Sequence, residues 1–207
     1  MRTMGTSTAM PASQGRVNQK RRTQAAIVGA CRELIDAGAE ITMPAVARAA
    51  EVSEATAYRY FPDLASLLRE AIVGLWPDPS TALEGVRSSQ DPVERVAAAA
   101  EFLTRHVVRY QSAVRAMISA SITRADAAAF RPGYRFRLID EALAPLADAT
   151  SGIEQAALTQ LKLDLAVIIG AEAVFTLTDL CGLPPEAAVA SAVHTARVVT
   201  EAATTAR

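Results

Sequence analysis

Two helix-start signals in close succession, Thr42 and Ser53, limit what this chain can fold into more than any other feature. A Ser or Thr hydroxyl that accepts a bond from a nearby backbone N–H favours the first position of a helix and disfavours its interior. The stretch Thr42 to Phe61, TMPAVARAAEVSEATAYRYF, therefore reads as two short helices. Pro44 falls in the first turn of the leading helix, where a missing N–H costs nothing, and Val46, Ala47, Ala49 and Ala50 supply small apolar packing positions. Glu51 and Val52 form the turn. The second helix then carries Thr56, Tyr58, Arg59 and Tyr60 within two turns, groups that reach phosphates and base edges. The spacing predicts a helix-turn-helix whose second helix is the recognition helix.

The flanks fit that reading. Ile27, Ala30, Cys31, Leu34 and Ile35 make the apolar stripe of a helix from Arg22 to about Ala37, with Gly38 as its stop. A further helix is expected from Asp63 to Trp76, with Leu64, Leu67, Leu68, Ala71, Ile72 and Leu75 on one broad face. Charge follows the same division. Residues 1–61 hold eight basic against five acidic residues and the remainder thirteen against seventeen, so an overall charge of −1 conceals a basic amino-terminal end.

Hydrophobic residues make up 51% of the 207-residue chain but aromatics only 5%, so the core must be built from Ala, Val, Leu and Ile. That composition favours closely packed helices and an all-α fold. Residues 1–19 carry no hydrophobic period and are expected to be a disordered arm, followed by a DNA-binding domain over 20–62, a linking helix over 63–76 and a larger helical domain over 77–207. Within the last, the segment 77–90 is expected to be partly irregular. Helices are expected from Asp91 to about Tyr110, Ala113 to Ala128, Tyr134 to Ala147, Ile153 to Leu180, and Pro184 to about Ala203. No signal peptide or membrane-length apolar run is present, which makes a cytoplasmic location the expectation. Cys31 and Cys181 lie in apolar patterns without metal-ligand spacing and read as core thiols. Neither a metal-ligand spacing, a nucleophile elbow nor a glycine-rich phosphate loop occurs, so no catalytic residue, metal or cofactor is expected and an enzyme is disfavoured.

Over Arg21 to Trp76 the chain resembles the tetracycline-repressor (TetR) family of transcriptional regulators, through Thr42, Ala47, Val52, Ser53, Thr56, Tyr58, Tyr60 and Phe61. The resemblance implies a homodimer on a pseudo-palindromic DNA operator and a carboxy-terminal domain that senses a small-molecule effector, most simply as a repressor. The alternative is a helical DNA-binding or scaffold protein whose large domain binds a protein partner and no small ligand. Three departures stand out. Glu51 occupies the turn position where the family usually has Gly; if the turn geometry is kept, that residue carries strain of about 1–2 kcal/mol. Asp63 lies near where the family commonly has a DNA-contacting Lys, and the Gly38 to Ile41 connection is shorter than usual.

Candidate DNA-contacting residues are Arg22, Thr42, Ser53, Glu54, Ala55, Thr56, Tyr58, Arg59 and Tyr60. Arg59 is the candidate base reader, since a guanidinium takes guanine O6 and N7 together; a phosphate contact is its alternative. The resemblance gives Tyr58 and Tyr60 phosphate roles. Phe102, His106 and Tyr110 share one face of a helix and, with Met117 and Phe136, are bulky groups in a domain of small ones. Phe130 and Tyr134 cluster with them. Together with Asp164, Ile168 and Phe175 on the long helix, Phe102, His106, Tyr110, Met117 and Phe136 are the candidate ligand-binding set, with core packing the alternative for each. Ala166, Gly170 and Ala173, with Ala188, Ala192, Thr195 and Val199, form small-residue faces suited to a dimer contact.

Overall fold

The structure, a computed structural model, describes residues 12–73, 75–122, 133–147 and 152–205, and among these it is helical with no strand. Four helices form the amino-terminal part: α1 (Ala12–Asp36), α2 (Met43–Ala49), α3 (Glu54–Tyr60) and α4 (Leu64–Ala71). Their starts follow the local signals. The hydroxyls of Thr42 and Ser53 accept from the N–H groups of Ala45 and Thr56, each at 3.2 Å, and the Asp63 carboxylate accepts from Ser66 N–H at 2.7 Å. Ile27, Cys31, Ile35, Val46, Ala57, Phe61, Leu67 and Leu68 close over one another as their shared core.

The rest of the chain builds a second layer of helices. After α5 (Pro79–Ala82) and a 3₁₀ turn at Glu84–Val86 come α6 (Pro92–Arg109), capped by Asp91, and α7 (Gln111–Ile122). Then follow α8 (Tyr134–Ala142) with a 3₁₀ turn at Ala144–Leu146, α9 (Gln155–Ile168), α10 (Ala171–Phe175), which widens into a π turn at Thr176–Leu180, and α11 (Pro185–Thr205). α6 lies along α11, where Ala99 and Ala100 face the same core as Ala196, and such small side chains let two helices approach closely. The buried hydroxyls of Thr104 and Thr200 are satisfied within their own helices by donating to the carbonyls of Ala100 and Ala196.

Several boundaries differ from the sequence reading. Residues 12–19, expected to lack structure, form the first turns of α1; extending a helix already nucleated by its packed half fixes only one residue at a time. α4 ends at Ala71, short of Trp76, because Arg32 of α1 donates to the carbonyls of Ala71 at 2.8 Å, Glu70 at 3.3 Å and Val73 at 3.4 Å. The expected long helix over 153–180 is broken at Ile169 and Gly170, where Arg135 of α8 donates to the Ala166 carbonyl at 2.8 Å. The α-helical part of α8 stops at Ala142, held by the buried Arg95, whose guanidinium donates to Ala142 at 3.0 Å and Glu141 at 2.6 Å, and to Val86 and Arg87 at 3.1 Å. Three helix ends are thus closed by arginines from other helices, each meeting the negative pole of the helix with charged donors.

The small-residue faces divide between core and surface: Thr195 is exposed and Ala166, Ala173 and Val199 are half-buried. Ala188 and Ala192 are buried within the protomer, and Gly170 is buried under Arg135. The large apolar side chains exposed on the same two helices are Leu163 and Val167 on α9 and Val198 on α11. Cys31 is a core thiol, pushed up to about 11 by burial, but Cys181 is exposed at the end of the π turn. Among the described residues, no helix is long and apolar enough to cross a membrane.

Candidate nucleic-acid interface and ligand cavity

α2 and α3 meet through a turn that repeats the one closing α1. After α1, the N–H groups of Gly38 and Ala39 donate to the carbonyls of Ile35 and Leu34, with Gly38 at φ +64°. After α2, those of Glu51 and Val52 donate to Arg48 and Ala47, with Glu51 at φ +53°. These are two copies of the same helix stop, and the second places a side chain in the left-handed region that Gly normally fills. Glu51 is the one residue other than Gly with positive φ among those described. The departure noted in the sequence leaves the turn's geometry intact and loads it with strain.

Ala57 and Phe61 fix the orientation of α3 by packing inward. On a helix of 3.6 residues per turn, Ala55 and Arg59 then fall on the opposite, outer face, flanked by Tyr58 on one side and Thr56 on the other. Ser53, Glu54, Ala55, Tyr58 and Arg59 are exposed, with Tyr58 at 48%, while Thr56 and Tyr60 are half-buried. Ser53 also donates its hydroxyl to Thr56 Oγ1 at 2.9 Å, which leaves the Thr56 hydroxyl proton available to a phosphate. Thr42 is half-buried and engaged at the start of α2, and Arg22 is exposed on α1. A cleft of about 440 Å³ opens between the amino-terminal turns of α1 and the end of α3, lined by Gln19, Lys20, Arg59 and Tyr60. The Arg59 guanidinium lies 5.6 Å from the Tyr60 ring centroid, so the charge is presented over an aromatic face. Gln19 joins this cleft only because α1 extends beyond Lys20, which the sequence pattern did not indicate.

A second feature lies where the two layers meet. A cavity of about 90 Å³ has apolar walls from Leu103 and Val107 of α6, Val114, Met117 and Ile118 of α7, and Trp76 of the segment after α4. Its remaining wall comprises Tyr134, Arg135, Gly170, Ala171 and Glu172. Arg135 and Glu172 form an ion pair there. A smaller cavity of about 10 Å³ adjoins it, lined by Ile72, Leu75, Tyr110 and Ala113 with the shared residues Trp76, Val114 and Met117.

Of the candidate ligand residues, Met117 lines both cavities and Tyr110 the smaller one. Phe102 and His106 stand behind Trp76 as a stacked layer: ring centroids are 4.5 Å apart for Phe102 and His106 and 5.0 Å for His106 and Trp76. The His106 Nε2–H donates to the Leu75 carbonyl at 3.2 Å, and burial holds its pKa below the usual histidine value. Phe136 is 56% exposed and Asp164 is exposed, accepting from Gln160 Nε2 at 2.7 Å. Ile168 is half-buried against the carboxy-terminal core, and Phe175 lies under the Arg115 guanidinium, 3.8 Å from its centroid. Phe130 lies outside the described residues. Trp76 and Arg135 were not singled out as cavity residues from sequence, since each reaches the wall through a chain break that tertiary contacts impose.

Residues 26–71 match the family model of bacterial regulatory proteins of the tetR family, a span covering the carboxy-terminal part of α1 and all of α2, α3 and α4. A TetR transcriptional regulator from Rhodococcus sp. RHA1 has a similar fold, with a TM-score of 0.52 at 19% identity over 87% of this chain and 97% of that one. No curated protein sequence matches. The helix-turn-helix of α2 and α3, braced by α1 and α4, is thus the amino-terminal domain of the tetR family of bacterial regulatory proteins over residues 26–71, and the helical layer behind it shares the fold of a TetR transcriptional regulator.

Proposed function

We propose that the chain is a dimeric repressor that holds a pseudo-palindromic operator through α3 and lets go when a small molecule enters the cavity beside Trp76. In this reading residues 20–62 bind DNA, 63–76 transmit the signal and 77–207 sense the ligand and dimerise. The observation that carries it is the double membership of Met117. The same side chain belongs to the amino-terminal core and to the cavity wall, and Ala113 one turn earlier on α7 packs into that core with it. A guest that displaces Met117 must therefore repack α7 against α4, whose Leu67 and Leu68 share a core with Val46 and Ala57 of the helix-turn-helix. A cavity at this junction favours a small effector over the alternative of a large domain that binds only protein.

Arg59 and Ala55 supply the base-reading face, Tyr58, Thr56, Thr42 and Arg22 the phosphate contacts. Leu163 and Val167, one turn apart on α9, and Val198 on the adjoining α11 offer the apolar surface for the two-fold contact. Fragments of the source genome captured by the purified protein are expected to carry inverted half-sites and to be released by an extract of the same cells. Val167→Glu is expected to sediment as a monomer and to lose the captured fragments. Capture without any shared repeat, or a Val167→Glu dimer with intact binding, contradicts the proposal.

A further inference from the structure

The wall of the 90 Å³ cavity specifies what can fill it, on the reading that it is the effector site. Most of its surface is carbon, from Trp76, Leu103, Val107, Val114 and Met117. Its ionised groups are already spent on each other and on the backbone. Arg135 holds Glu172 with one amino group and the Ala166 carbonyl with the other at 2.8 Å. A charged guest would have to give up its water to a mostly apolar wall and compete with that pair for a partner.

Tyr134 is the exception. Its side chain is buried, at 4% exposure, between Trp76 and Phe102, with ring centroids 5.3 Å and 6.4 Å away. Its hydroxyl has no hydrogen-bond partner among the described residues. Arg137, 5.7 Å from the ring centroid, and Asp78 act on the phenol through their charge, and neither forms a hydrogen bond with it. Buried phenols nearly always find a partner, so an orphaned one against a cavity is a vacancy for a guest's polar atom. Burial pushes the Tyr134 hydroxyl up to about 12, so it keeps its proton and acts as a donor.

We propose that the cavity binds a small uncharged carbonyl compound, one ring or a short chain in size, whose oxygen accepts a hydrogen bond from the Tyr134 hydroxyl. The size limit follows from volume: a dry engineered cavity of about 150 Å³ takes benzene, and this one reaches that size only as Met117 and the Arg135–Glu172 side yield. Met117 is the most adaptable of the apolar wall residues.

Three cyclohexyl probes test the chemistry: cyclohexanone, its isostere methylenecyclohexane, which lacks the acceptor, and the slightly larger cyclohexanecarboxylate, which carries a charge. Trp76 is the only tryptophan in the chain and lines the cavity, so its single indole N–H resonance reports occupancy. Cyclohexanone is expected to shift that resonance saturably, and to bind about fivefold to tenfold more weakly to Tyr134→Phe, the worth of one neutral hydrogen bond. Methylenecyclohexane is expected to bind both proteins equally, and the carboxylate neither. Tyr134→Phe itself is expected to melt at a higher temperature when empty, because the orphaned hydroxyl is gone; this confirms that the variant folds. No saturable shift with cyclohexanone, equal cyclohexanone affinity in Tyr134→Phe, or preference for the carboxylate overturns the proposal. Cyclohexanone binding with unchanged operator affinity would overturn the effector reading and leave this inference standing. Release of the operator by a charged compound, with no cyclohexanone binding, would do the reverse.

Discussion

Glu51 holds a backbone conformation that costs an ordinary residue about 1–2 kcal/mol, in a turn whose twin after α1 uses Gly38 for the same pair of hydrogen bonds. Glu51→Gly removes the Cβ clash but adds freedom to the unfolded chain, so the expected net gain is about 1 kcal/mol. Urea denaturation measures it, and an unchanged or lower midpoint would show that the turn is not strained. Arg59 makes the complementary case at the DNA face. Arg59→Ala is expected to lower operator affinity by about 1–3 kcal/mol and to flatten base preference at one position, whereas Tyr58→Phe weakens all sequences alike. Binding to a panel of single-base operator variants separates the two, and unchanged selectivity in Arg59→Ala would reassign it to phosphate. These residues were readable in the sequence because their roles depend on near neighbours. Thr42 and Ser53 cap helices from three residues away, and the anchors that turn Arg59 outward are Ala57 on the same short helix and Phe61 at its end.

Helix starts and helix stops obey different rules in this molecule. Starts at Thr42, Ser53, Asp63 and Asp91 are written in the segments they begin, but the stops of α4, α8 and α9 depend on Arg32, Arg95 and Arg135, which lie on other helices. An exposed-looking arginine in an amphipathic pattern gives no sign of which carbonyls it will reach, so the apolar pattern runs past the end of α4 to Trp76 and carries no mark of the break at Gly170. The cavity was hard to read for the same reason. Its walls come from α6, α7, α8, α10 and the segment after α4, and periodicity along one helix brings Phe102, His106 and Tyr110 to a common face without saying what that face meets. His106 gives this level its pH dependence. It anchors the Leu75 carbonyl beside Trp76, and its folded pKa lies below the ordinary value of 6.5. The unfolded chain therefore takes up the proton first as pH falls. Stability from neutral His106 is full above about pH 6.5 and is lost as pH drops through the folded pKa. Melting temperature measured from pH 7.5 downward is expected to fall less steeply in His106→Gln than in the native chain, and parallel curves would remove His106 from the account.

At the scale of the whole molecule, two cores share a border rather than standing apart. Ala113 and Met117 carry α7 into the amino-terminal core, while Trp76 packs against both carboxy-terminal clusters. Trp76 and Met117 both line the cavity, so on the proposed function a ligand there would bear on both ends of the connection between sensing and DNA binding. The exposed Leu163, Val167 and Val198 would double that effect by coupling two such connections in a dimer, where a small change in the separation of the two α3 helices spoils the fit to paired half-sites. The most direct test follows Trp76 fluorescence and operator anisotropy in one titration, using a captured genomic fragment and the extract fraction that releases it. The account predicts that the fragment dissociates in step with the change at Trp76; a saturated Trp76 signal with the fragment still fully bound would contradict it.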